Sequence, residues 1–202
     1  MKEKPPLERT DRPDPRAREN VELLFRDHAR FVASFLLRLG ISSADVDDGV
    51  QEVFTVAYRK GGFTPERATA RTWLGAIAVR VASNRRRGAR LRRERLEAEP
   101  AAHLASEAPS AEHVLERRQA LRRVDGALQG LDLAHRAVFV LFELEGEDCT
   151  AIAEALDVPV GTVYSRLHTA RKRFISAHEA LERADAAPPL HGQDVRYSGE
   201  QR

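Results

Sequence analysis

Residues 149–173, CTAIAEALDVPVGTVYSRLHTARKR, leave the C-terminal third of this 202-residue chain little freedom in how it folds. Ile152 and Leu156 are four apart and face one core, and the small Ala153 lets a second helix approach closely. Thr150 is the expected N-cap of a first helix, Ala151 to Leu156. Asp157-Val158-Pro159 forms the turn, with Val158 as its buried anchor, and Pro159 suits the first turn of a new helix because its missing N–H is not needed there. In that second helix Val163 and Leu167 point inward. Thr162, Tyr164, Ser165, Arg166, His168 and Thr169 face out, and Arg171-Lys172-Arg173 follows. Two short helices joined in this way can place side chains in the major groove of DNA. An ordinary helical hairpin has the same skeleton. The DNA reading is favoured by an outer face of hydrogen-bonding side chains rather than Glu/Lys pairs, and by a basic end suited to phosphates.

The rest of the chain also carries helical spacing. From about Glu19 to Leu39 the inward positions are Leu24, His28, Phe31, Phe35 and Leu39, and Gly40 is a stop. Ser42 or Ser43 is expected to cap a second helix running to about Lys60, with Val46, Val50, Val53, Phe54 and Ala57 inward. Gly61-Gly62 closes it. Phe63 to Arg67 must be a loop, because Pro65 disfavours helix at Thr64. A third helix, roughly Ala68 to Arg95, packs through Trp73, Leu74, Ile77, Ala78 and Val81. Its far end holds eight arginines between Arg80 and Arg95 against one acid, Glu94, more than a helix C-terminus needs to satisfy its dipole. Glu97 to Ser110 has no apolar period and resembles a linker. Beyond it, one helix carries Val114, Leu121, Val124, Leu128 and Leu131. Another, from Asp132 to about Glu143, carries Val138, Leu141 and Phe142.

The expected architecture is all-α: two small helical domains, residues 19–95 and 111–180, joined by a flexible linker at 96–110. Disordered extensions are expected at 1–18 and 181–202. No segment approaches the roughly 18 apolar residues a membrane span needs, and MKEKPPLERTDRPDPRAREN lacks the apolar stretch of a secretion signal. A single cysteine, Cys149, excludes an internal disulfide and a cysteine-rich zinc site, and points to a reducing cytoplasm. Cys149 itself is expected to be a buried structural thiol. No metal-ligand cluster, phosphate loop or nucleophile motif appears, so no catalytic residue, metal or cofactor is expected.

Two further segments carry a family resemblance. DVDDGVQEVFTVAYR (45–59), a glycine-containing loop and RTWLGAIAVRVASNRRR (71–87) resemble region 2 of bacterial RNA polymerase σ factors of the extracytoplasmic-function (ECF) group. ALQGLDLAHRAVFVLFELEG, followed by AIAEALDVPVGTVYSRLHTARKR, is similar to region 4 of that group, with GTVYSRLHTAR (161–171) its most specific element. The resemblance implies a factor that joins core RNA polymerase and directs promoter recognition and opening. It implies polymerase contacts by Asp47, Asp48, Gln51 and Glu52 on the coiled coil of the β′ subunit, with region 4 on the β flap. Reading of the −35 element falls to Thr162, Tyr164, Ser165, Arg166, His168, Thr169, Arg171, Lys172 and Arg173. Reading and melting of the −10 element falls to Phe63, Thr64, Arg67, Arg80, Asn84, Arg85, Arg86 and Arg87, where basic groups hold the backbone while unpaired bases leave the stack. An anti-σ factor is the implied regulator, and the linker resembles one that threads toward the polymerase active site.

The chain departs from the family pattern in places. Tyr164 and His168-Thr169 stand where basic residues are frequent, Arg80 replaces an expected Asn, Asp132 replaces a Pro, and Cys149 replaces a Ser. The changes at Tyr164, His168-Thr169 and Arg80 point to unusual promoter preferences, whereas Asp132 can cap the helix it begins. The alternative function is a conventional helix-turn-helix regulator that binds duplex DNA without polymerase. The 45–87 series counts against it, because a dimerisation domain has no use for an arginine-rich helix end.

Overall fold

The structure, a computed structural model, describes residues 15–63, 69–95 and 112–186. Seven α-helices and one π-helical turn account for nearly all of them, and no strand occurs among the described residues: α1 Pro15–Arg38, α2 Val46–Arg59, α3 Ala70–Arg95, α4 Glu112–Gln129, α5 Leu133–Phe139, the π turn Val140–Leu144, α6 Cys149–Leu156 and α7 Val160–Ala186. The expected linker and the outer parts of both extensions lie outside the described residues. At the inner edges helix reaches further than expected, to Pro15 at one end and Ala186 at the other.

α1, α2 and α3 pack pairwise into one helical unit. Val32, Phe35, Leu36, Leu39, Val53, Ala57, Leu74 and Ala78 are fully buried within it. Each large side chain of this kind contributes about 1.5–3 kcal/mol by leaving water. Three glycines end the first two helices as expected. The left-handed Gly40 (φ +89°) closes α1, and Gly61 and Gly62 (φ +84° and +82°) close α2. α2 begins later than the serines suggested. Ser42 forms a turn instead, its Oγ accepting from Asp45 N–H at 3.2 Å and donating to Asp45 Oδ2 at 2.6 Å, so the helix starts only at Val46.

In the second unit α7 is the spine against which α4, α5 and α6 all pack. Asp132 caps α5, accepting the His135 N–H at 3.0 Å. Asp148, not Thr150, caps α6. Its carboxylate accepts the N–H groups of Thr150 (2.8 Å) and Ala151 (2.9 Å), and a charged acceptor has the added favour of the helix dipole. The inward stripe of α4 is Val124, Ala127, Leu128 and Leu131, whereas Leu121 faces solvent. α4 runs against α7 with Arg123 beside Asp185 (3.1 Å), so Leu121 lies beyond the described part of α7.

The two units share one hydrophobic core, because α3 touches both α5 and α6. Gly75 marks the tightest point. A Cβ there would stand 2.9 Å from Leu141 Cδ2, so only hydrogen lets the π turn approach α3 so closely. Arg136 is the other seam. It is 1% exposed, and its guanidinium donates to the carbonyls of Leu39 (3.1 Å), Gln129 (3.0 Å) and Leu131 (2.7 Å) and to Gln129 Oε1 (3.0 Å). These carbonyls belong to the C-terminal ends of α1 and α4, where a cation is favoured. Burial, together with the nearby Arg86, brings the Arg136 pKa down to about 10.

Candidate nucleic-acid interface

The candidate recognition surface in the second unit is α7, held by α6. Ile152 and Ala153 of α6 and Val163, Leu167 and Ala170 of α7 are buried against one another. The link between the helices is sharper than a proline turn alone would make it. Asp157 takes a left-handed conformation (φ 56°), a state that Asp tolerates better than most side chains. Val158 is only half-buried there.

Outward from this scaffold, Tyr164, Ser165, His168 and Lys172 are exposed, and Thr162, Arg166 and Thr169 are half-buried. Tyr164 is 58% exposed, unusual for a large aromatic ring. Ser165 donates to the Thr162 carbonyl at 3.1 Å. The basic end is less free than the sequence suggests. Arg171 donates to Glu143 at 2.5 Å and lies 5.2 Å from the Phe142 ring centroid, while Arg173 is 3.5 Å from Asp132. Lys172 has no ion-pair partner among the described residues.

In the first unit α3 divides its basic run between faces. Arg80, Asn84 and Arg87, at i, i+4 and i+7, share one exposed stripe. Arg85 turns away and donates to Glu52 at 2.9 Å. Arg86 is half-buried and reaches the Gly40 corner beside Arg136. Phe63 is packed rather than free: Asn20 bonds both its N–H (3.0 Å) and its carbonyl (3.2 Å), and its ring lies 5.7 Å from Trp73. Thr64 and Arg67 lie outside the described residues.

On α2, Asp47, Asp48 and Gln51 are exposed and Glu52 half-buried, opposite the buried Val50, Val53, Phe54 and Ala57. The four form one acidic solvent face. Cys149 is 6% exposed, and burial pushes its thiol pKa up, with Asp148 acting the same way and Arg171 opposing. This is the environment of an inert structural thiol. No group of three or more metal-ligating side chains and no helix long and apolar enough to cross a membrane occurs among the described residues.

Comparison with known proteins places these faces in a family. The chain matches Sigma-70 region 2 over residues 24–92 and Sigma-70, region 4 over residues 121–174. It is 32% identical over 184 residues to the ECF RNA polymerase sigma-E factor of Escherichia coli K12, covering 88% of this chain and 94% of that one. The chain belongs to the ECF group of the σ-70 family. The RNA polymerase sigma-H factor of Pseudomonas aeruginosa is 30% identical over the same shares of the two chains. Among solved structures, CnrH in complex with the cytosolic domain of CnrY superposes with a TM-score of 0.56 at 26% identity, over 81% of this chain and 90% of that one. The σ factor RpoE of Bartonella quintana, solved with the anti-σ factor NepR, gives a TM-score of 0.59 at 19% identity, over 80% and 98%, a likeness of fold. This σ factor therefore directs promoter recognition in transcription initiation.

Three arrangements gave no sequence signal. The Glu52–Arg85 pair, the Glu143–Arg171 pair and the seating of Glu145 and Glu147 against region 2 join residues 28 to 107 positions apart. No local periodicity predicts such pairings.

Proposed function

We propose that this σ factor binds core RNA polymerase through the acidic face of α2, Asp47, Asp48, Gln51 and Glu52, docked on the β′ coiled coil, with region 4 on the β flap. The exposed face of α7 reads the −35 element, with Tyr164, Ser165, Arg166 and His168 toward base edges and Lys172 toward phosphate. Thr162 and Thr169 flank that face, and Arg171 and Arg173 join it once released from Glu143 and Asp132. The Arg80–Asn84–Arg87 stripe of α3 and the preceding Phe63 to Arg67 segment hold the −10 strand as it melts. The factor supplies no chemistry of its own; bond formation belongs to the polymerase. It acts in the cytoplasm. By analogy with CnrH and RpoE, whose solved structures are complexes with CnrY and the anti-σ factor NepR, an anti-σ partner regulates it.

The observation that carries this reading is the separation of charge: an acidic face on α2, with Asp47 and Asp48 exposed and Glu52 shared with Arg85, and two basic helical faces on α3 and α7. An acidic face steers toward a basic protein partner and away from DNA. The decisive experiment titrates fluorescently labelled protein with purified core polymerase, without DNA. Saturable binding, weakened by the charge reversals Asp47→Lys and Asp48→Lys, is expected. Failure to bind core, alongside tight binding to duplex DNA alone, would favour the conventional regulator instead.

A further inference from the structure

The π turn and the loop after it carry acids at alternate positions, Glu143, Glu145 and Glu147, and each is engaged by a group that could otherwise hold a phosphate. Glu143 takes Arg171 of the recognition helix. Glu145, whose side chain is only 5% exposed, is gripped by both Arg38 at the end of α1 and Arg71 in the first turn of α3. Glu147, 8% exposed, accepts from Thr69 Oγ1 at 3.0 Å and Thr72 Oγ1 at 2.5 Å. Two carboxylates of region 4 thus sit in a cradle made wholly of region 2 side chains.

The cradle is built without region 4. Arg71 lies over the Phe31 ring, 4.6 Å from its centroid. Thr69 Oγ1 accepts the Thr72 N–H at 3.1 Å, and the two hydroxyls are 2.7 Å apart. Arg38 belongs to the last turn of α1. Two guanidinium groups that hold one carboxylate and two hydroxyl donors that hold a second form a ready receptor for anionic oxygens.

The closed arrangement that fills this cradle is incompatible with simultaneous reading of both promoter elements. α3 touches α6 and α6 packs on α7, so two helix spacings of about 8–10 Å separate the two reading helices. Elements centred near −10 and −35 lie roughly 25 base pairs apart, about 85 Å along B-DNA at 3.4 Å per step. Region 4 must leave region 2 for both to be read, and its departure empties the cradle next to the segment that precedes α3.

We propose that Arg38, Thr69, Arg71 and Thr72 form a phosphate-binding site for the −10 strand, which Glu145 and Glu147 occupy in the closed molecule as stand-ins for DNA phosphate. The inference rests on the assignment of −10 binding to region 2. The loop acids thus perform two tasks, holding the domains together and barring DNA from the site until the molecule opens.

The test uses the full chain, a fluorescein-labelled single-stranded DNA of mixed sequence, and small-angle scattering to follow opening. Glu145→Gln/Glu147→Gln should raise the radius of gyration and tighten DNA binding about tenfold, the gain expected if the closed form holds about nine-tenths of the molecules. Glu154→Gln/Glu179→Gln, which removes two exposed acids elsewhere in region 4, should change binding by less than twofold. Gly75→Leu, a wedge against Leu141 that leaves every charge in place, should reproduce the gain. On either opened background, Arg38→Gln/Arg71→Gln should abolish the gain and flatten the salt dependence by about 0.7 in log–log slope, one single-strand phosphate.

An opened molecule that binds no better than the control, or one indifferent to Arg38→Gln/Arg71→Gln, overturns the proposal. Arg80→Ala/Arg87→Ala separates the two readings. If it weakens DNA binding while the cradle substitutions do not, the −10 assignment stands and the cradle falls. If the cradle substitutions matter and Arg80→Ala/Arg87→Ala does not, the cradle stands and the α3 stripe falls.

Discussion

Arg85 Nε donates to Glu52 Oε2 at 2.9 Å, tying the proposed polymerase-binding face of α2 to the arginine run of α3. Both side chains keep substantial solvent access (29% and 40%), so the pair contributes little to stability. A double-mutant cycle with Glu52→Gln and Arg85→Gln, read by urea unfolding, should give a coupling of about 0.2–1 kcal/mol. A coupling of several kcal/mol would make the pair structural and remove it from the binding surface.

Arg136 should behave differently. Removing its guanidinium leaves the buried carbonyls of Leu39 and Leu131 without donors, each at about 1–3 kcal/mol. Arg136→Met is therefore expected to destabilise the protein by at least about 2 kcal/mol in chemical denaturation. Arg136→Lys should recover only part, since one ammonium cannot span four acceptors.

Asp132 supplies a pH-dependent cap. Burial acts to raise its pKa and is the largest single influence, but the backbone and ring of His135 and the Ala134 N–H together outweigh it, so the value lies below 3.8. A depressed carboxylate stabilises the fold above its unfolded pKa and loses that contribution as pH falls through the folded one. Asp132→Ala should lower stability by about 1 kcal/mol near neutral pH. The gap between variant and parent should close only below about pH 4 in acid titrations of folding. A gap that persisted unchanged well below pH 4 would show that the carboxylate charge of Asp132 is not what stabilises the cap.

On α7, Lys172, which has no ion-pair partner among the described residues, and the paired Arg171 should differ. Lys172→Ala is expected to weaken −35 duplex binding uniformly across sequences and to reduce the salt slope by about 0.9, one duplex phosphate. Arg171→Ala should do less, because Glu143 already holds that guanidinium. Tyr164→Ala should alter sequence preference, with a discrimination change of about 1–3 kcal/mol at one position. Equal effects from Lys172→Ala and Arg171→Ala would mean that releasing Arg171 from Glu143 costs next to nothing.

Much of the fold was legible because its determinants are local. The Ile152/Leu156 and Val163/Leu167 spacings, the Asp132 cap and the glycine stops each act within a turn or two, and the structure has them where the spacing predicts. Helix starts were less legible where two polar residues compete. Asp148 displaced Thr150 because a carboxylate accepts two amide protons and a positive dipole end at once. Leu121 shows that periodicity names a face but not the length of its partner. In the candidate site, composition revealed an arginine run on α3. Which arginines face solvent and which meet Glu52 or the Gly40 corner depends on α1 and α2, tens of residues away.

The π turn at Val140–Leu144 has a bearing on how such a loop can evolve. Its Glu145 N–H reaches back five residues to the Val140 carbonyl at 3.0 Å, so the chain carries one residue more than an α-turn would. That extra residue rotates everything downstream by about 100° around the helix axis. Deleting one of the apolar residues of the turn would re-phase Glu145 and Glu147 together, swinging both carboxylates off region 2 without removing a single charged group. Insertions and deletions here, more than substitutions, are the changes by which related chains could gain or lose self-closure in one step.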